Sequence, residues 1–172
     1  MKIIIIYSSN TGNTKKIAAS INRAIKQAEM IATEHIIDEW ESADVIFLGG
    51  WIDRGNFDYQ TRTLLKQIEG KKIAIFSTLG AYVPSNHASL VFKKLEEQVK
   101  EKNVYLGGYI CQGKVSPEFI EKMKKMFPEN HSHAITPVWV KMLQDGEKHP
   151  DKEDCQAAKI FAQNIYVNIE RN

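Results

Sequence analysis

Cysteine is nearly missing from this chain of 172 residues, with Cys111 and Cys155 its two copies. Two cysteines cannot build a disulfide framework, and neither lies in a C-x-x-C pair that would read as a zinc or dithiol site. Long apolar runs are missing as well. No stretch approaches the ~18 residues of a membrane span, and Met1-Lys2 with five apolar residues behind it is too brief for a secretory leader. A charge of one sign is also lacking. Lysine and arginine number 23 and the acids 21, leaving +2, which gives no footing for nucleic acid or an anionic membrane. Lys15-Lys16, Lys71-Lys72, Lys93-Lys94 and Lys122-Lys124-Lys125 are scattered and read as solvated faces. With 43% hydrophobic and 26% charged residues, the composition is that of a soluble globular protein, and the length predicts one domain spanning 1–172. The few cysteines, with neither leader nor span, make a reducing cytoplasm the default, and a monomer or weak dimer is expected. There is no internal repeat or low-complexity segment.

Two nucleotide signatures fail as well. The triphosphate loop needs a second glycine four residues before Gly-Lys-Ser/Thr, and Gly12 is followed by Asn13-Thr14. The dinucleotide fingerprint needs three spaced glycines, and this turn has one. What is there is Tyr7-Ser8-Ser9-Asn10-Thr11-Gly12-Asn13-Thr14, set between Ile3-Ile4-Ile5-Ile6 and a segment in which Ile17, Ile21 and Ile25 recur every fourth residue. The isoleucine run reads as a strand buried on both faces, and the i, i+4 row as one face of a helix. The turn between them carries six hydroxyl or amide side chains and one glycine. At a helix N-terminus the first N–H groups lack partners and the dipole is positive, so such a turn suits a phosphate. With no lysine in the cradle, the phosphate is held and not cleaved.

Further along, a second, less apolar strand is expected over Ile31–Ile37, at a sheet edge. The first helix ends near Glu29. A buried strand over Asp44–Leu48 stops at Gly49-Gly50 and opens into the loop Trp51-Ile52-Asp53-Arg54-Gly55-Asn56-Phe57-Asp58. Asp58 caps a helix whose stripe is Thr61, Leu64, Leu65 and Ile68, and Gly70 stops it. A fourth strand over Lys72–Phe76 opens into Ser77-Thr78-Leu79-Gly80-Ala81-Tyr82-Val83-Pro84-Ser85-Asn86. A helix over His87–Glu101 turns Leu90, Val91, Leu95 and Val99 inward. A fifth strand, Val104–Ile110, is interrupted by Gly107-Gly108. Ser116 and Pro117 open a short helix that Pro128 ends, residues 129–150 read as irregular, and a last helix covers Asp151–Ile169 with Ala158, Phe161, Ile165 and Ile169 on one face. Five alternations of strand and helix predict an α/β fold: a three-layer, doubly wound, five-stranded parallel sheet of order 2-1-3-4-5. In that order the loops 8–14, 49–58 and 77–86 all follow carboxyl ends of adjacent strands, where ligands of such sheets bind.

Ser9-Asn10-Thr11-Gly12-Asn13-Thr14 after Ile-Ile-Tyr resembles the FMN-phosphate loop of the flavodoxin family. A closer resemblance runs along nearly the whole chain, to a group of flavodoxin-like proteins of anaerobic gut bacteria, one branch of which accompanies the bilirubin reductase. It is carried by Gly49-Gly50-Trp51-Ile52-Asp53-Arg54-Gly55, Thr78-Leu79-Gly80-Ala81-Tyr82, Cys111-Gln112-Gly113-Lys114, His133-Ala134, Thr136-Pro137 and His149-Pro150-Asp151-Lys152-Glu153-Asp154. The resemblance implies FMN as cofactor, held by Ser9, Asn10, Thr11, Gly12, Asn13 and Thr14 at the phosphate. It implies Gly49, Gly50, Trp51, Ile52, Asp53, Arg54 and Gly55, with Ser77, Thr78, Leu79, Gly80 and Tyr82, around the ring. Gly50 or Gly55 would supply the peptide that turns toward the flavin N5. A flat ring needs aromatic walls, and Trp51 and Tyr82 are the first candidates, with Phe57, Tyr59 and Leu79 behind them. The other reading of Trp51, a core residue, is the less favoured, because a loop tryptophan after Gly-Gly is poorly placed for a core. Gly49, Gly50 and Gly80 leave backbone open to close approach.

The expected function is an FMN protein passing one or two electrons between a reductase and an acceptor, a redox partner protein. No side chain is catalytic and no metal is bound. Two other readings stay open. One is an FMN-dependent oxidoreductase acting directly on a quinone or tetrapyrrole, and the other a non-redox module for a phosphorylated ligand. Cys111 reads as a packed strand-end residue, although Lys114 nearby is placed to lower a thiol pKa. His131, His133 and His149 form no metal spacing and read as part of a mobile cover over the flavin. Cys155 reads as core.

The acidic flavodoxin carriers crowd carboxylates round the flavin, whereas here Arg54 stands beside Asp53 in the ring loop. Positive charge stabilises an anionic reduced ring, so this flavin is expected to be less strongly reducing. Arg54→Glu is expected to lower the second-electron potential in a spectroelectrochemical titration. An unchanged or raised potential means that Arg54 faces solvent or pairs with Asp53 instead.

Overall fold

The computed structural model describes residues 1–127 and 136–171. The isoleucine run and Tyr7 form β1 (Ile3–Tyr7), with all five side chains buried. Alternate residues along a strand point to opposite faces. Ile3, Ile5 and Tyr7 enter one core cluster and Ile4 and Ile6 the other. Each buried isoleucine contributes roughly 1.5–3 kcal/mol, so neither face can be left to solvent. The chain continues through α1 (Asn13–Ala24), β2 (Glu29–Ala32), β3 (Val45–Asp53), β4 (Asn56–Phe57), α2 (Tyr59–Gln67), β5 (Lys72–Leu79), α3 (Asn86–Lys100), β6 (Val104–Gln112), α4 (Pro117–Met126), α5 (Pro137–Gly146) and α6 (Lys152–Glu170), with short 3-10 turns at Thr33–His35 and Glu39–Ser42.

The sheet order is β2-β1-β3-β5-β6, all parallel, with β4 antiparallel to the end of β3. Apart from the two-residue β4, this is the order expected from the sequence. Ile17, Ala18 and Ile21 of α1 and Ala158, Ala162 and Ile165 of α6 close one face. There Phe161 lies edge-on to Phe47 and stacks on Tyr109, both at 6.1 Å between centroids. Leu64 and Leu65 of α2 with Val91, Leu95 and Val99 of α3 close the other. Three layers result. At β6 the register steps from Ile73↔Tyr105 to Ala74↔Gly107, leaving Leu106 as the extra residue of a bulge. Gly107 takes a φ of 136°, which a side chain would oppose.

Several boundaries differ from expectation, for physical reasons. β2 begins at Glu29 and stops at Ala32 because β1 offers pairing only from Ile4 to Tyr7, and the predicted 33–37 extension has no strand to pair with. α1 accordingly ends at Ala24. β3 runs on through Gly49-Gly50 to Asp53, because β5 stays beside it as far as Trp51↔Thr78 and β4 then pairs with Ile52 and Asp53. Leu90 is 63% exposed, while Ala88, Val91, Leu95 and Val99 make the buried stripe. Residues 137–146, expected to be irregular, form α5 behind the cap Thr136 and a first-turn proline. The readings placed on Pro128, His131 and His133 lie outside the described residues.

The two leucines of α3 separate burial from mere apolarity. Leu95→Ala, at 0% exposure, is expected to cost about 2–5 kcal/mol in urea unfolding. Leu90→Ala is expected to shift stability by under about 0.5 kcal/mol. Equal losses would mean that Leu90 has a buried partner in solution.

Candidate functional site

The carboxyl ends of β1, β3 and β5 lie side by side, so the turns leaving them converge. Gly12 holds a left-handed conformation (φ 85°, ψ −9°) at the N-cap of α1 and supplies no capping side chain. A substituent at Gly12 would meet no atom within 4 Å, so the glycine answers the backbone angle and not crowding. The first turn of α1 holds no acid, and Lys15 and Lys16 follow at once, with the Lys16 ammonium turned onto the Pro150 carbonyl. The helix end is thus electropositive and its opening N–H groups lack a capping side chain, apart from that of Lys15, which Ser9 Oγ accepts at 3.2 Å.

The turn is tied down from its flanks. Ser8, 3% exposed, donates from Oγ to Gln60 Oε1 at 3.1 Å, and the Thr33 hydroxyl donates to the same oxygen at 3.0 Å. Asn13 Nδ2 donates to the Lys114 carbonyl at 2.8 Å. Gly113 permits that reach, since a Cβ there would stand 2.8 Å from Asn13 Nδ2. Thr14 and Thr78, both buried, share a hydrogen bond between their hydroxyls at 2.9 Å. The predicted phosphate loop and the predicted ring loop after β5 are therefore in direct contact. Asn10 and Thr11 stay exposed.

Between the turn, the end of β3 and the start of α2 lies a cleft of about 340 Å³ lined by Ser8, Ser9, Asn10, Glu34, Trp51, Asp58, Tyr59 and Gln60. Trp51 is half-buried at its mouth and Tyr59 is 74% exposed. Asp58 is taken up as the cap of α2, accepting from the N–H of Gln60 and Thr61 and from Thr61 Oγ1. Phe57 and Leu79, the lesser wall candidates, are 0% and 4% exposed and belong to the interior. Ser77 is buried too and donates to the Gly50 carbonyl at 2.6 Å. Tyr82 is not among the cleft residues. Its hydroxyl reaches α5, donating to Asp145 Oδ2 at 2.6 Å.

Ile52, Asp53, Arg54 and Gly55 form a hairpin with Asn56 and Phe57. Arg54 (φ 50°) and Gly55 (φ 73°) are its two central residues, the backbone of a tight two-residue turn. Gln98 of α3 anchors it through Asn56 Oδ1 at 3.0 Å, and Arg54 is exposed. Gly49 and Gly50 have an interior reason to be glycine, and Gly80 is crowded by the half-buried Val115. A Cβ would come within 2.1 Å of the Phe76 ring, 2.6 Å of Thr61 Oγ1 and 2.5 Å of Val115 Cγ2 respectively.

The sequence model of the flavodoxin domain family matches residues 4–163. The chain belongs to the flavodoxin family. It is 33% identical over 171 residues to the flavodoxin-like domain-containing protein BilS of Clostridioides difficile, a match that covers 97% of each chain. Among solved structures, an archaeal flavodoxin superposes with a TM-score of 0.65 at 18% identity, covering 99% of each chain. A Lactobacillus acidophilus flavoprotein in complex with FMN superposes with a TM-score of 0.51 at 20% identity, over 70% of this chain and 97% of that one. At those identities the structural likeness speaks for the fold alone.

Within this flavodoxin fold, Cys111 is packed at 3% exposure, and burial, then the Asp154 charge, pushes its thiol well above the usual thiol range. Lys114 does not reverse that, so the packing reading of Cys111 holds. His149 Nδ1 lies 2.6 Å from Asp154 Oδ2, and Asp151 and Asp154 form the capping box of α6. These three side chains bring ligand atoms within 4.8 Å of one another. Their visible work is to start the helix, and the Lys16 ammonium sits against the neighbouring carbonyl. Residues that sequence reasoning passed over are Gln60, which gathers two hydroxyls, Glu34 and Asp145. None stands in a motif, and tertiary packing alone brings them in.

The Thr14–Thr78 contact yields a direct test. Thr14→Val or Thr78→Val strands one buried hydroxyl and is expected to cost about 1–3 kcal/mol, while the double substitution costs much less than the sum. Additive losses in denaturant unfolding would show that the hydroxyls serve separate partners.

Proposed function

We propose that the chain binds FMN and carries electrons between a reductase and an acceptor protein. The observation that carries the reading is the β1–α1 turn. An acid-free helix N-terminus with a left-handed Gly12, its first N–H groups uncapped by side chains except for that of Lys15, is ringed by the uncharged groups of Ser9, Asn10 and Thr11. That donor set fits a phosphate monoester, a dianion that needs N–H and O–H donors and no metal. Membership of the flavodoxin family and the FMN in the Lactobacillus acidophilus flavoprotein support the same ligand.

In this reading Asn10 and Thr11, exposed and unspent, donate to the phosphate, while Ser8, Asn13 and Thr14 keep the loop in shape. Trp51 supplies an apolar wall, and the Asp53–Asn56 hairpin supplies backbone donors near it. FMN supplies the one- and two-electron chemistry when bound. The residues orient it, exclude water from one face and set its electrostatic surroundings. No thiolate chemistry is assigned to Cys111, whose proton burial retains.

A second reading, an oxidoreductase acting directly on a small molecule such as a quinone or tetrapyrrole, is favoured by the cleft beside Trp51. At about 340 Å³ it falls in the range of small-ligand sites. Steady-state NAD(P)H oxidation with quinone and no partner protein would favour this enzyme over the carrier.

The test of FMN itself is a fluorescence titration of the flavin-free protein. Wild type is expected to quench FMN and turn yellow, and a colourless product overturns the reading. Thr11→Ala removes one charge-assisted hydrogen bond, roughly 1.5–3 kcal/mol, and is expected to weaken FMN by about tenfold to a hundredfold while leaving riboflavin unaffected. Equal losses for both flavins would mean that Thr11 acts through folding.

A further inference from the structure

Tyr82 follows β5, and α5 is inserted far along the chain, yet the two meet. The Tyr82 hydroxyl donates to Asp145 Oδ2 at 2.6 Å, a short bond to a charged acceptor. Lys141, one turn earlier on α5, stands 3.2 Å from the same oxygen. The Tyr82 bond, then Lys141, holds the Asp145 carboxyl below the usual carboxylate range, so it is ionised at neutral pH. α5 is firmly seated at this end. Gln112, buried at the end of β6, donates from Nε2 to the Met142 carbonyl at 3.2 Å. Gly146 is buried against the same side chain, where a Cβ would lie 3.0 Å from Gln112 Nε2. Just beyond, the Lys114 N–H donates to the His149 carbonyl at 2.9 Å. At its other end α5 is capped by Thr136 and turned to solvent, with Val138 75% exposed. Asp145 thus sits on the anchored half of an otherwise exposed helix and grips the tip of an aromatic ring that remains 37% exposed.

We propose that Asp145 is a positioning residue of the flavin site, which from α5 fixes the Tyr82 phenol by its hydroxyl and leaves a ring face free to stack on the isoalloxazine. This rests on the FMN reading above. Two effects follow. A ring already held in one rotamer loses less freedom when the flavin arrives. A phenol donating to a carboxylate is also more electron-rich than a free phenol, and an electron-rich face opposes negative charge on a ring stacked against it. The Asp145–Tyr82 pair therefore tightens flavin binding and lowers the potential of the bound flavin, opposite in sign to the effect expected of Arg54.

The experiment is a double-mutant cycle on the full chain with Asp145→Asn, Tyr82→Phe and the pair, read by dissociation constants for FMN and riboflavin and by the midpoint potential of bound FMN. Each single substitution is expected to weaken both flavins by about twofold to tenfold, the worth of one immobilised side chain. Each raises the potential, the double is no worse than either single, and Asp145→Glu restores part of the loss. In flavin-free protein, absorbance titration should find the Tyr82 phenol, held above the usual tyrosine range by its bond to Asp145, moving back toward that range in Asp145→Asn. Additive losses, or an Asp145→Asn protein with unchanged affinity and potential, overturn the role of Asp145 while leaving FMN binding intact. A wild-type protein that binds neither flavin overturns the FMN reading and this role together.

Discussion

β1 has to be covered twice. Its alternate side chains enter two separate cores, so helices are required on both faces of the sheet. The flanking strands β2 and β3 are parallel to it, and parallel strands joined by right-handed crossovers place their carboxyl ends along one edge. The turns after β1, β3 and β5 therefore gather at one place whatever their own sequences are. The site is a consequence of burying isoleucine on both sides of one strand, and the polar turn only determines what that place can hold.

That dependence explains which parts were legible in the sequence. Continuous apolar runs announced β1, β3 and β5, and i, i+4 rows announced α1, α2 and α3, because burial writes a periodic pattern. Pairing partners leave no such mark. β2 was placed too far along since nothing in Ile31–Ile37 records that β1 ends at Tyr7. β3 was cut short at Gly49-Gly50 since both glycines look like a stop, whereas each makes room for a side chain of the interior. The hairpin after it was hidden because its central pair is Arg54-Gly55 and not the usual Asn-Gly. α5 could have been found. Thr136-Pro137 is the same cap-then-proline signal as Ser116-Pro117, which was read correctly. The composition of the surrounding segment, rich in histidine and proline, outweighed it.

Of the candidate site, the place of the polar turn between β1 and α1 was legible and its neighbours were not. The motif residues Ser9 to Thr14 are contiguous, so their meeting is local. Gln60 reaches the turn from α2, and Asp145 reaches Tyr82 from α5, through hydrogen bonds between residues 52 and 63 apart in sequence. A spacing pattern cannot reveal such partners, because only the folded sheet and its covering helices define the distance.

The turn faces two opposed demands. On the FMN reading it must leave donors free for an anion, yet it must be ordered without one, or each binding event would carry the entropy of ordering it. Here the ordering bonds run outward from the flanks. Ser8 goes to Gln60, Asn13 to the Lys114 carbonyl, Thr14 to Thr78, and Ser9 to the Lys15 N–H. The middle of the turn keeps Asn10 and Thr11 exposed over a helix end whose first N–H groups, that of Lys15 apart, have no side-chain cap. Folding therefore meets the cost of shaping the loop before any ligand arrives. The same logic extends to the rim. With Phe57 and Leu79 committed to the interior, the aromatic wall candidates left exposed or half-buried are Trp51, Tyr59 and Tyr82, and of these Tyr82 is held by a helix outside the three motif loops. On the FMN reading, local sequence thus selects the kind of anion, while the long-range contacts of α5 are where the behaviour of a bound ring would be altered without disturbing the cradle.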